Sequence, residues 1–457
     1  MENSVLNEKK NGYLKVTNEV IENANSFCKE YKNFLNIAKT ERECVKYIKE
    51  KIEPNGFRKF NKLHSYKPGD KLYYINKNKS ITMVTIGSEP LDTGITFVIS
   101  HIDSPRIDLT PSPLYEDSEL SFFSTQYYGG IKKYQWTTIP LAIHGVISKK
   151  DGTIIDIQFG ENEEDPIFYI SDLLPHIAEN QMKRTAAQLI KGEELNILIG
   201  SIPVKDDKAK QAVKLNIMKI LNEKYGIVEQ DLVSADLSFV PAYKARDVGF
   251  DSSLLAAYGQ DDRVCVYTSL EAHLDLKIPK QTTITVFTDK EETGSSGNTG
   301  LKSKYLEFFV SDLADCFGVN SRVVFSNSVC LSADVSAALD PTWKEPYDMY
   351  NSCHLNYGVC LTKYTGGRGK SDTSEASAEF MGEVIRILDQ GDIMWQTGGL
   401  GKVDVGGGGT IAKYIANLNI DVLDIGVPVL SMHSPYEITS KLDIYMTYKA
   451  FSTFISR

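Results

Sequence analysis

Four apolar runs in this chain each end in residues that can hold a metal or move a proton. ITFVIS leads into His101 and Asp103, TTITVFT into Asp289, Glu291 and Glu292, SVCLSA into Asp334, and PVLSM into His433. Such runs read as buried strands. Open α/β sheets place their ligand sites at the carboxyl ends of strands, so these strands would deliver imidazoles and carboxylates to one edge. Asp261 and Asp262 of YGQDDRVC open a predicted helix, where acids suit the positive end of the dipole. Taken singly, each has a plain structural reading. A strand-end histidine ordinarily packs in a core or turn, Glu291-Glu292 could be a solvated loop, and Asp334 could cap a helix. Taken together, two histidines and several carboxylates without a thiolate make the ligand set of a dinuclear hydrolytic site for zinc, cobalt or manganese.

That chemistry needs these residue types. Two divalent cations about 3.5–4 Å apart require a carboxylate shared between them, and each requires a His or carboxylate of its own. A further carboxylate must stay off the ions to take a proton from water whose pKa the ions lower toward about 7. Neighbouring side chains of an extended segment diverge, so of Glu291 and Glu292 one can ligate while the other faces the water.

The rest of the chain must position these groups. Thr40 and Glu43 form a capping-box pattern ahead of the apolar stripe Cys44, Val45, Ile48 and Ile52, with Gly56 as the stop. KLYYI and ITMVTI flank NKNKS as a hairpin, and LAIHGVIS and TIIDIQFG flank KKDG as another. Residues 180–225, rich in Lys, Glu and Ala, read as helical. After about residue 245, strand-like TTITVFT, RVVF, SVCLSA, DVLDIG and PVLS alternate with helical stretches, one of them SEASAEFMGEVIRIL and another at the chain end. This alternation predicts an α/β domain with a mainly parallel sheet and helices on both faces, built from residues 1–110 and 245–457. The β-rich segment 111–244 then reads as an insertion.

Composition excludes several classes. Hydrophobic residues at 42% and charged residues at 24% suit a globular protein with a sizeable core. A formal net charge of -10 argues against a nucleic-acid partner. No run of 18 apolar residues predicts a membrane span, and MENSVLNEKKNGYLKV has no apolar leader core. The seven cysteines include no CxxC pair, which points to reduced, buried thiols in a cytoplasmic protein and leaves any metal to oxygen and imidazole.

ISHIDSP, YGQDDRV, TDKEETGSSG, SADVSAALDP and IGVPVLSMHS, together with KYQWTTIPLAIHG, ISDLLPH and VPAYKARDVG, resemble the successive motifs of the aspartyl aminopeptidase family, metallopeptidase family eighteen, across nearly the whole chain. The resemblance implies a dinuclear zinc aminopeptidase acting on peptides with a free N-terminus. It implies His101 as terminal ligand of one metal, Asp261 as bridging carboxylate, Glu292 and Asp334 as carboxylate ligands and His433 as the second histidine ligand. Glu291 would be the general base, and Asp103 would orient His101 or tune its metal. The inserted segment looks like a dimerisation domain, and family members assemble as dodecamers.

By the same resemblance, His144 matches a histidine that reaches a neighbouring subunit's active site, as substrate contact, oxyanion-side donor or metal-associated group. Arg368 and Lys370 in GGRGKSD lie where the family carries basic residues facing the substrate, and a guanidinium can grip an acidic first side chain. This chain departs from acidic-specific members in that loop, in the glycine run VGGGGT (residues 405–410), in Asp-Asp at 261–262 and in Ser-Pro after His433. The acidic preference is where these departures bear. The glycine run lacks the GxxxxGK[ST] pattern of a phosphate loop. Two other readings use the same residues: another dinuclear amidohydrolase of carboxypeptidase or deacylase type, and a non-catalytic assembly protein.

Overall fold

The computed structural model describes residue 5, residues 9–206 and residues 208–457; the N-terminal stretch read for a leader lies partly outside them. The chain divides into two compact units: Met1–Asp103, Ala245–Met432 and Glu437–Arg457 form one, and Ser104–Lys244 with His433–Tyr436 the other.

The first unit is organised by a nine-stranded mixed sheet. At its centre the strands Thr282–Thr288, Ile95–His101, Val329–Ala333 and Asp421–Gly426 run parallel, in that order. All seven residues of Ile95–His101 are buried, as a strand covered on both faces requires. Its side chains alternate between two cores. Phe97 and Ile99 join Ile284, Val286 and the helix Tyr305–Cys316 through Phe309, Val310 and Leu313. Val98 faces the other way, into the core that also holds Val264 and Tyr267 of the helix Gln260–Asp275 and Phe451 of Lys441–Ile455. Helices therefore cover both faces. Outside the parallel centre the sheet turns antiparallel, through the hairpin Lys71–Asn76 and Ser80–Thr85 on one side and Val359–Thr362 on the other. It is thus mixed: beyond the parallel centre and its antiparallel neighbours, Arg58–Lys59 pairs parallel with Lys71–Asn76, and Trp395–Thr397 with Val359–Thr362.

Local signals behave as their chemistry dictates. Thr40 caps Glu41–Ile52 with a reciprocal Glu43 bond, an arrangement worth about 1 kcal/mol, and Gly56 follows at φ 87°. Two expectations fail. RVVF lies in a helix, Ser321–Ser326, because Asn320 caps the Arg322 N–H and only Val324 and Phe325 need burial. Among the described residues of 180–225, α-helix is confined to Glu179–Met182 and Ala212–Tyr225, with short 3-10 turns at Ala186–Gln188 and Gly192–Glu194. Between the two helices Ile197–Gly200 pairs with the strand Leu120–Tyr128, where its β-branched residues find a partner.

A smaller sheet in the same unit joins Arg246–Val248, Leu254–Ala257, Glu437–Ser440, Pro428–Leu430 and Ser336–Ala337. The second unit carries a six-stranded antiparallel sheet that includes both strands of the expected hairpin, Leu141–Ser148 and Ile154–Phe159. Among the described residues no helix is long and apolar enough to cross a membrane.

Candidate metal centre

His101 closes its strand in register with Thr288, one residue before Asp289. Its ring is fully buried, and both nitrogens face oxygen. Nδ1 lies 3.0 Å from the Asp103 carbonyl and 3.5 Å from the Asp103 carboxylate. Those atoms only accept, so Nδ1 carries a proton. Nε2 lies 3.1 Å from Asp261 Oδ1 and 3.6 Å from Asp334 Oδ1. Unless Nε2 or one of the two carboxyls is protonated, three electron-pair donors point at one another, which a cation between them relieves. His101, Asp261 and Asp334 each offer one atom within 4.8 Å of the others. A divalent ion fits this donor set, and the Nδ1–H bond to a carbonyl is the support that ligating imidazoles use.

Burial and charge agree. Burial alone would push the His101 imidazole down, yet hydrogen bonds to Asp103, Asp261 and Asp334 raise it well above its ordinary value. Burial lifts the Asp334 and Asp262 carboxyls, with neighbouring acids adding to the rise. Glu291 is likewise raised, first by burial and then by Asp334, Asp103 and Asp261, against the opposing pull of His101. This is an excess of buried negative charge, the condition a bound cation offsets.

Glu291 and Glu292 open a single 3-10 turn, Glu291–Thr293, after Lys290 at φ 72°. Asp103, fully buried, fastens that turn: Oδ1 accepts the Glu291 N–H and Oδ2 the Glu292 N–H, both at 3.1 Å. Asp289 is also buried but engages Thr299 at 2.6 Å. Asp261 sits at the start of Gln260–Asp275 with non-helical φ -78° and ψ 109°. The turn before it is held by Arg263, whose fully buried guanidinium donates to the carbonyls of Tyr258, Gly259 and Ala38. Gly259 has φ 67°, and a Cβ there would meet the guanidinium at 1.8 Å, so glycine is required. Sequence reasoning passed over Arg263, since an arginine in a first helical turn looks solvated.

Other sequence candidates are elsewhere. His433 belongs to the segment grouped with the second unit, and its Nδ1 lies 2.9 Å from the Gly130 carbonyl. His144 is fully buried in the second unit; its Nε2 donates to Glu161 at 2.9 Å, and Lys244 holds the other Glu161 oxygen at 2.8 Å. Arg368 and Lys370 are exposed on a loop of the first unit, where Lys370 bonds Glu375 at 2.8 Å and lies over the Tyr364 ring. The glycine run packs against that loop. A Cβ on Gly407 would stand 2.2 Å from the Gly366 carbonyl, and one on Gly406 1.7 Å from that of Leu400. Close backbone approach accounts for these glycines.

Residues 34–455 match the family model described as aminopeptidase I zinc metalloprotease, M18. The chain belongs to this family. It is 50% identical over 464 residues to a probable M18 family aminopeptidase 1 of Clostridium acetobutylicum, covering 100% of both chains. Its fold matches the crystal structure of an M18 family aminopeptidase from Thermotoga maritima with a TM-score of 0.94 and 44% identity, over 99% of this chain and 100% of that one. Aminopeptidase I from Clostridium acetobutylicum gives a TM-score of 0.93 at 47% identity, over 99% and 100%. The chain is accordingly an aminopeptidase, of a zinc metallopeptidase family.

Proposed function

We propose that the enzyme removes the N-terminal residue of peptides using two divalent ions and Glu291 as general base. The observation that carries this is the convergence of Asp261 and Asp334 on His101 Nε2 while Asp103 holds Nδ1. His101 and Asp334 are proposed for one ion, Glu292 and His433 for the other, with Asp261 shared. Zinc is the ion that the family description supports, and cobalt or manganese would suit the same donors. When bound, the ions polarise the scissile carbonyl and bring water within reach of deprotonation near neutral pH.

The remaining work falls to side chains. Glu291 takes the proton of the attacking water and passes it to the leaving amine, and burial that raises its pKa makes it a better base. Asp103 holds the base-bearing turn and the His101 ring in one arrangement. Arg368 and Lys370 are proposed to favour acidic first residues. His144, oriented by Glu161, is proposed as a substrate-side contact in a homo-oligomer, a dodecamer by resemblance. Residues 1–110 and 245–457 would form the catalytic domain and 111–244 an inserted dimerisation domain, a reading supported by the compact unit Ser104–Lys244. A cytoplasmic setting belongs to the same proposal.

The test is hydrolysis of aminoacyl chromogenic substrates, with free and blocked amines, by protein stripped of metal and reloaded with zinc, cobalt or manganese. Metal-dependent cleavage of free-amine substrates alone is expected. Cleavage indifferent to blocking would replace the aminopeptidase mechanism with a broader amidohydrolase one.

A further inference from the structure

We propose that Glu437 is a positioning residue for the metal centre: its buried carboxylate accepts the Asp261 backbone N–H and so sets where the Asp261 carboxylate stands against His101. The inference rests on the reading of Asp261 as a metal ligand. Glu437 Oε2 lies 3.0 Å from Asp261 N, and the residue is 1% exposed. It begins the strand Glu437–Ser440, where it pairs antiparallel with Ala257, four residues before Asp261. The backbone of Glu437 is itself fixed from the same side. Gln260 Nε2 donates to the Leu255 carbonyl at 2.9 Å and to the Glu437 carbonyl at 3.3 Å, while the Tyr31 hydroxyl donates to Gln260 Oε1 at 2.9 Å.

Two considerations make this more than a satisfied hydrogen bond. The Asp261 φ and ψ are not helical, and the first N–H groups of a helix have no acceptor within it, so the helical ladder does not locate Asp261. The same device recurs at Asp103, whose buried carboxylate accepts the N–H groups of Glu291 and Glu292. Two separate segments that carry candidate ligands are thus suspended by their backbone from buried acids. Fixing ligands through partners behind them is how metal sites gain affinity.

The experiment uses the full chain carrying Glu437→Asp, which keeps the charge but withdraws the oxygen, and Glu437→Gln, which keeps an acceptor but removes the charge. Zinc affinity is measured by competition with a chelator, ligand geometry from the visible spectrum of cobalt-loaded protein, and folding from the melting temperature of the metal-free form. Glu437→Asp is expected to weaken zinc by about 10- to 100-fold and alter the cobalt spectrum while the metal-free melting temperature stays near that of the parent. Glu437→Gln is expected to restore affinity to within about threefold of the parent, well short of that 10- to 100-fold loss. Unchanged affinity and spectrum in Glu437→Asp overturn the proposal, as does an equal loss in Glu437→Gln, which would assign the effect to charge. Asp261→Asn, measured beside them, separates the two readings: full metal retention there overturns the ligand assignment itself, whereas metal loss there with an unaffected Glu437→Asp overturns only the positioning role.

Discussion

Asp103→Asn tests the core of the mechanism without changing the shape of the side chain. In the parent, Oδ1 and Oδ2 accept one backbone N–H each, from Glu291 and Glu292, at 3.1 Å. Asparagine has one carbonyl oxygen, so one bond survives and the amide NH2 confronts the other N–H donor. A hydrogen bond to a charged acceptor contributes about 1.5–3 kcal/mol, and the donor left behind is in a buried site. At about 1.4 kcal/mol per decade, kcat/KM should fall by about 10- to 150-fold if the loss is felt in the transition state. The fall should lie mainly in kcat, because the turn that moves carries the base. The Asp103 carbonyl still accepts His101 Nδ1–H, so zinc should remain bound at saturating concentration. The assay is steady-state hydrolysis of a free-amine chromogenic substrate, with zinc content determined on the same sample. A variant with full zinc and kcat/KM within about threefold of the parent, far less than the 1.5 kcal/mol lower bound allows, would refute the clamp.

Glu291→Gln should keep its metal and melting temperature but lose about 10²- to 10⁴-fold in kcat, the contribution of a positioned base; near-normal turnover would remove Glu291 from that role. His433→Ala should hold one ion fewer per chain by elemental analysis, and undiminished occupancy would exclude it as a ligand. Arg368→Ala should weaken acidic substrates selectively, and an unchanged substrate ranking would take it out of the first pocket. His273, fully buried between the Thr85 and Thr285 hydroxyls at 2.9 and 2.7 Å, has its pKa pushed down from 6.5 to about 3, first by burial and then by Lys71. The unfolded chain takes up a proton that the folded one refuses, so this contribution is whole above pH 6.5 and declines below it, by about 2 kcal/mol at pH 5; urea titration of His273→Gln should lack that acid-side slope, and an identical slope would refute it.

The strand ends were legible because a run such as ITFVISH is rich in β-branched and aromatic residues and reaches an ionisable side chain only at its last residue. The same cue misleads at RVVF, where Val323, Val324 and Phe325 suit strand or helix equally and only the Asn320 cap and the packing distinguish them. Residues 180–225 misled through composition: Lys, Glu and Ala favour helix, but propensity is a weak prior beside the cross-strand partners available to Ile197–Gly200. Arg263 was illegible for a different reason. One of the carbonyls it serves belongs to Ala38, 225 positions away, and nothing near it in sequence announces that partner.

Asp103 shows where the boundary lies. Two residues after a strand-end histidine, it was expected to orient His101 or tune its metal. The structure divides the task. The nearer of its two contacts with the imidazole is the backbone carbonyl, at 3.0 Å, and the carboxylate accepts N–H groups 188 and 189 positions further along the chain. A local motif can carry the first interaction, since it needs only a fixed backbone two residues long. The second exists only because the strands ending at His101 and Thr288 are parallel neighbours in register. The spacing of a motif therefore identifies which residues meet, while the direction in which their hydrogen bonds run is a property of the sheet. The Glu437 bond to Asp261, which depends on the register of two other strands, is the same kind of property and was equally invisible in the sequence.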